Sequence, residues 1–512
     1  MTPGSLIATA TVLAAACGAG ERPASQRDST VTVLYDGSNE WLFGPSHDDS
    51  PKFLVFQPLV TYRTGSCGDI VGGLAEHWEH SPDWRTWTVR LRPGVRWHDG
   101  APVTAEDVAH SIRLWKHPDV SWYGAAAVRT VEVVDDRTLR FELARPGRWP
   151  LDGWDVFYPR HLLEKLEPRE FMTWSFWTQP VGNGPFRYVR HVPETMVELA
   201  ANDEYYGGRP RIGRVIVQFA QGGGSGAVEL LAGNVDLVVG LSPSEAIRIA
   251  RDPRFVLYHT RQAASTWILW NYTRPQFSEV RVRQALSHAL DRAALAAALD
   301  LPAGTPMTDA PYHPCQLERL RFTPPRSHDP ARARVLLAEA GWTDRNGDGV
   351  VDRGGVPLRF ELVVVERDNR AAVLVQEHLR RIGVAMDVRV LDQSVVHQRF
   401  RAGDFEAIIA PTVGANQLVA SSRSPLGVLD HDLAALIAQA TAEPDPERQV
   451  ALYEAFGPRY RDLVPATFLY LRHGTLVAHR RIKGLGEPGS VILEQGWRWP
   501  FGPIETAWIE ER

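Results

Sequence analysis

The chain is predicted to be a multidomain α/β protein, and three observations carry that prediction. Its 512 residues fit two to four domains better than one. In the first third, Trp87/Val89/Leu91, Val131/Val133 and Leu139/Phe141/Leu143 repeat with period two, the mark of half-buried antiparallel strands. Beyond Asp329 helical and strand periods alternate, which argues a parallel, doubly wound sheet. With 44% hydrophobic and 23% charged residues, disorder, collagen-like repetition and coiled coil are excluded as global descriptions.

In chain order, Val31–Tyr35 reads as the first strand. Thr104-Ala-Glu-Asp107 is a capping-box-like start with Asp in place of Glu. It opens a helix that places Val108, Ile112 and Trp115 on one face, and Pro118 ends it. Asp329-Pro330 pairs an N-cap with proline at the first helical position, and Gly341 follows the last periodic residue. Arg370 to Ile382 reads as a helix stopped by Gly383, followed by a strand through Met386, Val388 and Val390. A short helix through Phe400 ends at Gly403, and Phe405–Ala410 is an apolar strand. Asp445-Pro446 opens an amphipathic helix carrying Val450, Tyr453 and Tyr460. No internal repeat is present, and Gly222-Gly223-Gly224 is the one low-complexity stretch.

Acids exceed bases by 61 to 56, a poor start for a nucleic-acid binder, which usually shows a basic face. Four of the 56 basic residues are lysines, which reads as coding bias before function. The 17 tryptophans point to large apolar contacts or an aromatic-lined cleft. Three cysteines, Cys17, Cys67 and Cys315, make neither a disulfide framework nor a Cys-only zinc site. Leu6 to Ala16 is an apolar, small-residue segment too short to span a bilayer permanently. The run Leu13-Ala-Ala-Ala-Cys17-Gly18 resembles a bacterial lipobox, which implies cleavage before Cys17 and its lipidation. Departures are the absence of Lys or Arg ahead of the segment and Ala14 where Leu is commonest. An ordinary cleaved signal or a misassigned start is the competing reading. The polar tether Gly20–Ser29 favours the lipoprotein.

One block is diagnostic: Gly73-Leu-Ala-Glu-His-Trp78, then Trp87 through Trp97-His-Asp-Gly100, then Thr104-Ala-Glu-Asp-Val108. It resembles the signature of the family 5 extracellular solute-binding proteins of ABC transporters, the peptide/nickel type. Gly182-Asn-Gly-Pro-Phe186, Asn202 to Gly208, Leu231 to Asp236, Asn271 to Phe277, Val280 to Leu286, Ala289-Leu-Asp-Arg292, Ala331 to Trp342 and Asp344 to Gly349 follow in the family's order. The resemblance covers about residues 30–485. It implies a two-lobed periplasmic-binding-protein fold of class II type, with an extra subdomain on the first lobe and ligand held between lobes by hinge closure. The expected division is 1–17 signal and lipobox; 18–29 tether; 30–60 with 179–265 and 480–512 lobe I; 61–178 the subdomain; and 266–479 lobe II. Trp267–Asn271 is expected to cross into lobe II and Leu469–Val477 to cross back.

Candidate sites compete with plainer readings. Asp344-x-Asn346-x-Asp348-Gly349-x-x-Asp352 resembles the start of an EF-hand loop, but position 12 is Gly355 where calcium needs a bidentate Glu, so a polar turn is the stronger reading. His77-x-x-His80 has metal-like spacing but lies on a strand inside the signature. His473 and His479 sit near the return crossing. Gly222 to Gly226 lacks the Lys-Ser/Thr of a P-loop and the spacing of a nucleophile elbow, which leaves a loop. A Cys67–Cys315 bridge is left open, with no bridge favoured. No metal and no cofactor are expected.

Peptide-binding members of the family carry a Trp-x-x-Asp-Tyr-like segment after the strand matching Phe405–Ala410, with its Asp on the peptide's amine. Here Pro411–Gln417 has neither Trp nor Asp, which argues against capture of a peptide amine. Asn416 is suited to hydrogen-bond a neutral or sugar-like ligand. Tyr35, Trp41, Trp267, Trp270, Asn271 and Asn416 are the candidate ligand contacts, the aromatic ones being core residues in the plainer reading. The expected function is a monomeric, lipid-anchored receptor handing a peptide-like or oligosaccharide-like solute to an ABC permease, without nucleic acid and without catalysis. A permease-independent signalling receptor is the alternative. A hydrolase is weaker, because no nucleophile–base–orienter motif appears.

Overall fold

The computed structural model describes residues 30–35, 51–63, 70–120, 127–148, 156–220, 226–302, 305, 307–310, 324–410, 426–487, 491–493 and 502–510. One mixed sheet of eleven strands runs through the described molecule. Its strands are β1 (Thr30–Tyr35), β2 (Phe186–Val192), β3 (Met196–Ala201), β4 (Arg214–Phe219), β5 (Leu237–Val239), β6 (Phe255–Trp270), β7 (Arg359–Val364), β8 (Ala385–Val390), β9 (Ala407–Ala410), β10 (Ala466–His479) and β11 (Val491–Leu493). Across the sheet the order is β8-β7-β9-β6-β10-β5-β1-β4-β3-β2, with β11 added to β6. The fold is the two-lobed, class II type of periplasmic binding protein. β7, β8 and β9 are mutually parallel in one lobe, and β1, β4 and β5 in the other.

Both faces of each lobe's sheet are covered, as parallel strands require. On β1, Val31 and Val33 enter one core while Leu34 enters another with Val238 and Val477. On β6, Ile268 and Trp270 face one core of lobe II, and Trp267 and Leu269 face the other. Each such side chain contributes about 1.5–3 kcal/mol by leaving water.

β6 and β10 belong to both lobes. They pair antiparallel from Phe255↔His479 to Leu269↔Ala466, with a register irregularity between Arg261 and Ser265. On one side of it, β10 pairs with β5 and β6 with β11; on the other, β6 pairs with β9. The change of partners on β6, at 261–265, marks the crossing between the two halves of the sheet. On β10 the same change of partners falls at Arg472.

A four-stranded antiparallel sheet, ordered Ala75–His80, Thr86–Leu91, Thr138–Leu143, Val128–Asp135, packs with helix Ala105–Trp115 on the same core as lobe I. The Asp107 carboxylate accepts the Thr104 amide (2.7 Å), which satisfies a donor at the helix start. Asp329 and Asp445 cap the helices Pro330–Glu339 and Pro446–Leu463, each with proline at the start. Gly403 takes φ +67° to end helix Gln393–Ala402. At Gly182 a Cβ would lie 1.9 Å from the Val55 carbonyl oxygen, so the Gly182-Asn-Gly184 turn is a packing requirement. His98 ties that turn down: its Nδ1 accepts the Gly182 amide (3.2 Å) and its Nε2 donates to the Gly184 carbonyl (3.0 Å). Burial, against that carbonyl bond, pushes the imidazole down to about 4. No described helix is long and apolar enough to cross a membrane.

Candidate functional site between the lobes

The carboxyl ends of the parallel strands point at the crossing from both sides. β9 runs from Ala407 beside Trp270 to Ala410 beside Trp267, toward the irregularity in β6, and β7 is parallel to it. In lobe I, Val239 at the end of β5 pairs with Leu476, and the next amide, Gly240, donates to the Thr475 carbonyl (3.0 Å). Tyr35 ends β1 beside Val239 and Phe219. Ligands of open α/β sheets bind outside such carboxyl ends.

β10 shows where the interior opens. It is buried from Ala466 to Leu471 and again from Thr475 to Ala478, and its interior is partly exposed at Arg472, His473 and Gly474. A guanidinium inside an otherwise apolar strand needs acceptors. Arg472 Nε donates to Thr266 Oγ1 (3.2 Å), and Nη2 reaches Asp368 Oδ1 (3.2 Å) and Oδ2 (3.1 Å). Asp368 closes the 3₁₀ turn Glu366–Asp368 that follows β7, and its side chain is 4% exposed against 12% for Arg472. Arg367 lies 3.9 Å from Asp368, and burial together with the charge of Arg472 pulls its pKa down. Burial, then the Asp368 carboxylate, pushes the Tyr470 phenol up, so Tyr470 stays neutral.

The residues expected from sequence are distributed differently. Tyr35 is at the crossing end of β1, partly buried. Trp267 and Trp270 are interior packing residues, 1% and 0% exposed. Trp267 meets Phe468 and Tyr460 edge-on and donates to Ser265 Oγ (2.6 Å). Trp270 meets Phe360 at 90° and donates to Thr467 Oγ1 (2.8 Å). With rings covered and N–H groups satisfied, neither walls the cleft. Asn271 follows β6 at its far end, about 20 Å along the strand from Ser265. It is buried, donates to the Phe405 carbonyl (2.7 Å) and accepts from Thr273, so it braces a turn. Trp41, Asn416 and Cys17 lie outside the described residues, as do Asp36, Glu40, Cys67, Cys315 and 221–225.

Among the plainer sites, Asp344 accepts the amides of Gly347 (2.7 Å) and Gly349 (3.0 Å), and Asp348 that of Val350 (2.8 Å), which is a polar turn. His77 and His80 are exposed on strand Ala75–His80, where His80 stacks on Trp84 at 3.7 Å. Asp430 caps helix His431–Ala442 and pairs with Arg459 at 3.0 and 2.8 Å. Sequence reading missed Arg472, Asp368, Arg367 and Thr266. The available signal was an arginine interrupting the apolar run Phe468–Val477 at the expected crossing.

The model of the bacterial extracellular solute-binding proteins, family 5, matches residues 69–426. The nickel-binding periplasmic protein of Escherichia coli K12 is 26% identical over 487 residues, 88% of each chain. Di/tripeptide-binding protein 4 of Pseudomonas aeruginosa is 26% identical over 444 residues, 79% of this chain and 82% of that one. Among solved structures, the oligopeptide-binding protein AppA of Bacillus subtilis, in complex with a nonapeptide, superposes with TM-score 0.73 at 22% identity, covering 94% of this chain and 99% of its own. A family match across more than half of the chain, on a fold whose strand ends converge on one opening, leads to one assignment: the chain belongs to the family 5 bacterial extracellular solute-binding proteins.

Proposed function

We propose that the protein is the lipid-anchored, periplasmic or cell-surface receptor of an ABC importer. It captures a small peptide-like or oligosaccharide-like solute between its lobes and delivers it to a permease. The observation that carries this reading is the opening at Arg472–Gly474, where the carboxyl ends of both lobes' parallel strands converge on two shared strands. The protein binds and does no chemistry on its ligand. Selectivity comes from contacts that differ between open and closed lobes, because a ligand shifts an equilibrium only by its differential affinity. Tyr35, and beyond the described residues Trp41 and Asn416, are retained as ligand contacts. Cys17 is the lipidated residue.

A thermal-shift panel of peptides, oligosaccharides and nickel tests the reading. Ligand stabilises by RT ln(1 + [L]/Kd), about 2.7 kcal/mol at a hundredfold excess over Kd. A melting temperature unmoved by every class of solute would sink it, and turnover of any member of the panel would replace it with an enzyme.

A further inference from the structure

We propose that a second pocket, between the subdomain and lobe I and lined by Arg96, Trp97, Arg187 and Glu204, binds a small zwitterion of amino-acid size. The pocket has a volume of about 120 Å³. A cavity of about 150 Å³ takes a benzene ring, so this one has room for roughly five or six heavy atoms and none for an oligopeptide. Its place in the sheet separates it from the cleft. Arg187 pairs with Ala200, Ala200 with Arg214, and Arg214 with Thr30, at the amino end of β1. The cleft lies at the opposite end of that strand, beyond Tyr35. β2 also closes the sheet on this side, five strand spacings from β10, about 24 Å.

The lining sorts into spent and unspent groups. His98 adds no charge, because both ring nitrogens serve the Gly182–Gly184 turn and burial keeps the imidazole neutral. Asn202 donates to the Gly184 carbonyl (3.1 Å) and accepts the Glu204 amide (3.1 Å). Asp203 is paired with Arg209 at 2.6 Å. Arg96 has only Nη1 engaged, on the Gly100 carbonyl (2.7 Å). The Arg187 guanidinium and the Glu204 carboxylate have no hydrogen bond or ion pair among the described residues. Opposite charges thus line one small space without closing on each other. The Trp97 indole is 1% exposed, and its buried N–H has no acceptor among the described residues, a costly state until one arrives. A ligand carboxylate offers the two guanidinium groups and this N–H the acceptors they lack, and a ligand ammonium answers Glu204. A plain anion would sit like charge against like beside Glu204, and a plain cation would meet two arginines. Only a zwitterion satisfies both walls.

The test titrates L-alanine, alaninamide and lactate into the full chain by calorimetry, then alanine into Arg187→Gln and Glu204→Gln. Both substituted side chains are exposed and unpaired among the described residues, so the variants break no contact of the fold. Alanine should bind wild type. Alaninamide, without the carboxylate, and lactate, without the ammonium, should each bind about tenfold more weakly, the size of one charge-assisted bond. Each variant should lose about tenfold for alanine. Hydrogen exchange locates the site: alanine should protect 95–98 and 186–204 and leave 471–475 in the cleft unchanged. Absence of alanine binding overturns the proposal. Equal affinity in wild type and both variants, with protection at 471–475, assigns alanine to the cleft and overturns it too. Lactate binding as tightly as alanine makes the pocket a plain anion site and overturns the zwitterion.

Discussion

Arg472 sends one guanidinium nitrogen to both carboxylate oxygens of Asp368, at 3.2 and 3.1 Å, and so ties the turn after β7 to the strand that returns to lobe I. Both side chains are nearly dry, and removing one partner of such a pair leaves a charge stranded in the interior.

Asp368→Ala should therefore destabilise the protein by about 3 kcal/mol. The double variant Asp368→Leu/Arg472→Met should recover part of that loss. Chemical denaturation of the two variants is the measurement, and a double variant less stable than Asp368→Ala would refute the stranded-charge account.

His98 gives a pH dependence whose sign is fixed. Its folded pKa, about 4, lies below the unfolded value of 6.5, so the unfolded chain binds the extra proton between them. Stability from this group is complete above pH 6.5 and is lost as pH falls toward 4, by about 3 kcal/mol in all. His98→Gln should flatten the dependence in that window. Identical slopes for variant and wild type would assign the acid sensitivity elsewhere.

Chelation should leave the melting temperature nearly unchanged. The Asp344 and Asp348 oxygens already receive backbone amides within their own turn, and position 12 offers no carboxylate. A fall of several degrees on adding chelator, restored by calcium, would make Asp344–Asp352 a metal site.

Cys17→Ser should shift the protein from the membrane fraction to the soluble fraction of the producing cell. Fractionation and blotting decide it. Unchanged membrane association would remove the lipid anchor from the proposed function.

Di- and tripeptides with a free amine should bind more weakly than their N-acetylated forms. The expected cause is the missing acid in Thr412–Gln417 and the cationic surroundings of Arg367. Calorimetric titration of one peptide in both forms is the check. Tight binding of the free amine, lost on acetylation, would require another acid. Asp36 and Glu40, the acids that follow the strand Thr30–Tyr35 in sequence, would then be neutralised first, whereas Asp430 is already held by Arg459.

The fold was legible wherever chemistry acts locally. Asp329-Pro330, Asp445-Pro446 and Gly403 mark helix ends because a cap or a positive φ is decided within four residues. The shared strands were only partly legible. Buried on both faces over Thr266–Trp270 and Ala466–Leu471, β6 and β10 show no alternation there, so their 16- and 14-residue lengths and the irregularity at 261–265 left no period to read. Trp267 and Trp270 look alike as cleft wall or as core, because aromatic apolar sequence serves both; tertiary partners such as Phe468 and Phe360 decide between them. Arg472 was hidden for the opposite reason. Its meaning depends on Asp368, 104 residues away.

Two strands that run through both lobes also limit how the molecule can be divided. Any cut that freed lobe II would take part of β6 and β10 with it. A cut at the crossing would keep Phe255–Arg261 with His473–His479 on one side and Ser265–Leu269 with Ala466–Leu471 on the other, but it would open new chain ends in the middle of the two longest strands. The lobes are thus poor modules for separate expression or for exchange between relatives. Grafting a new specificity onto this scaffold is safer by rewriting the loops at the strand ends than by swapping a lobe.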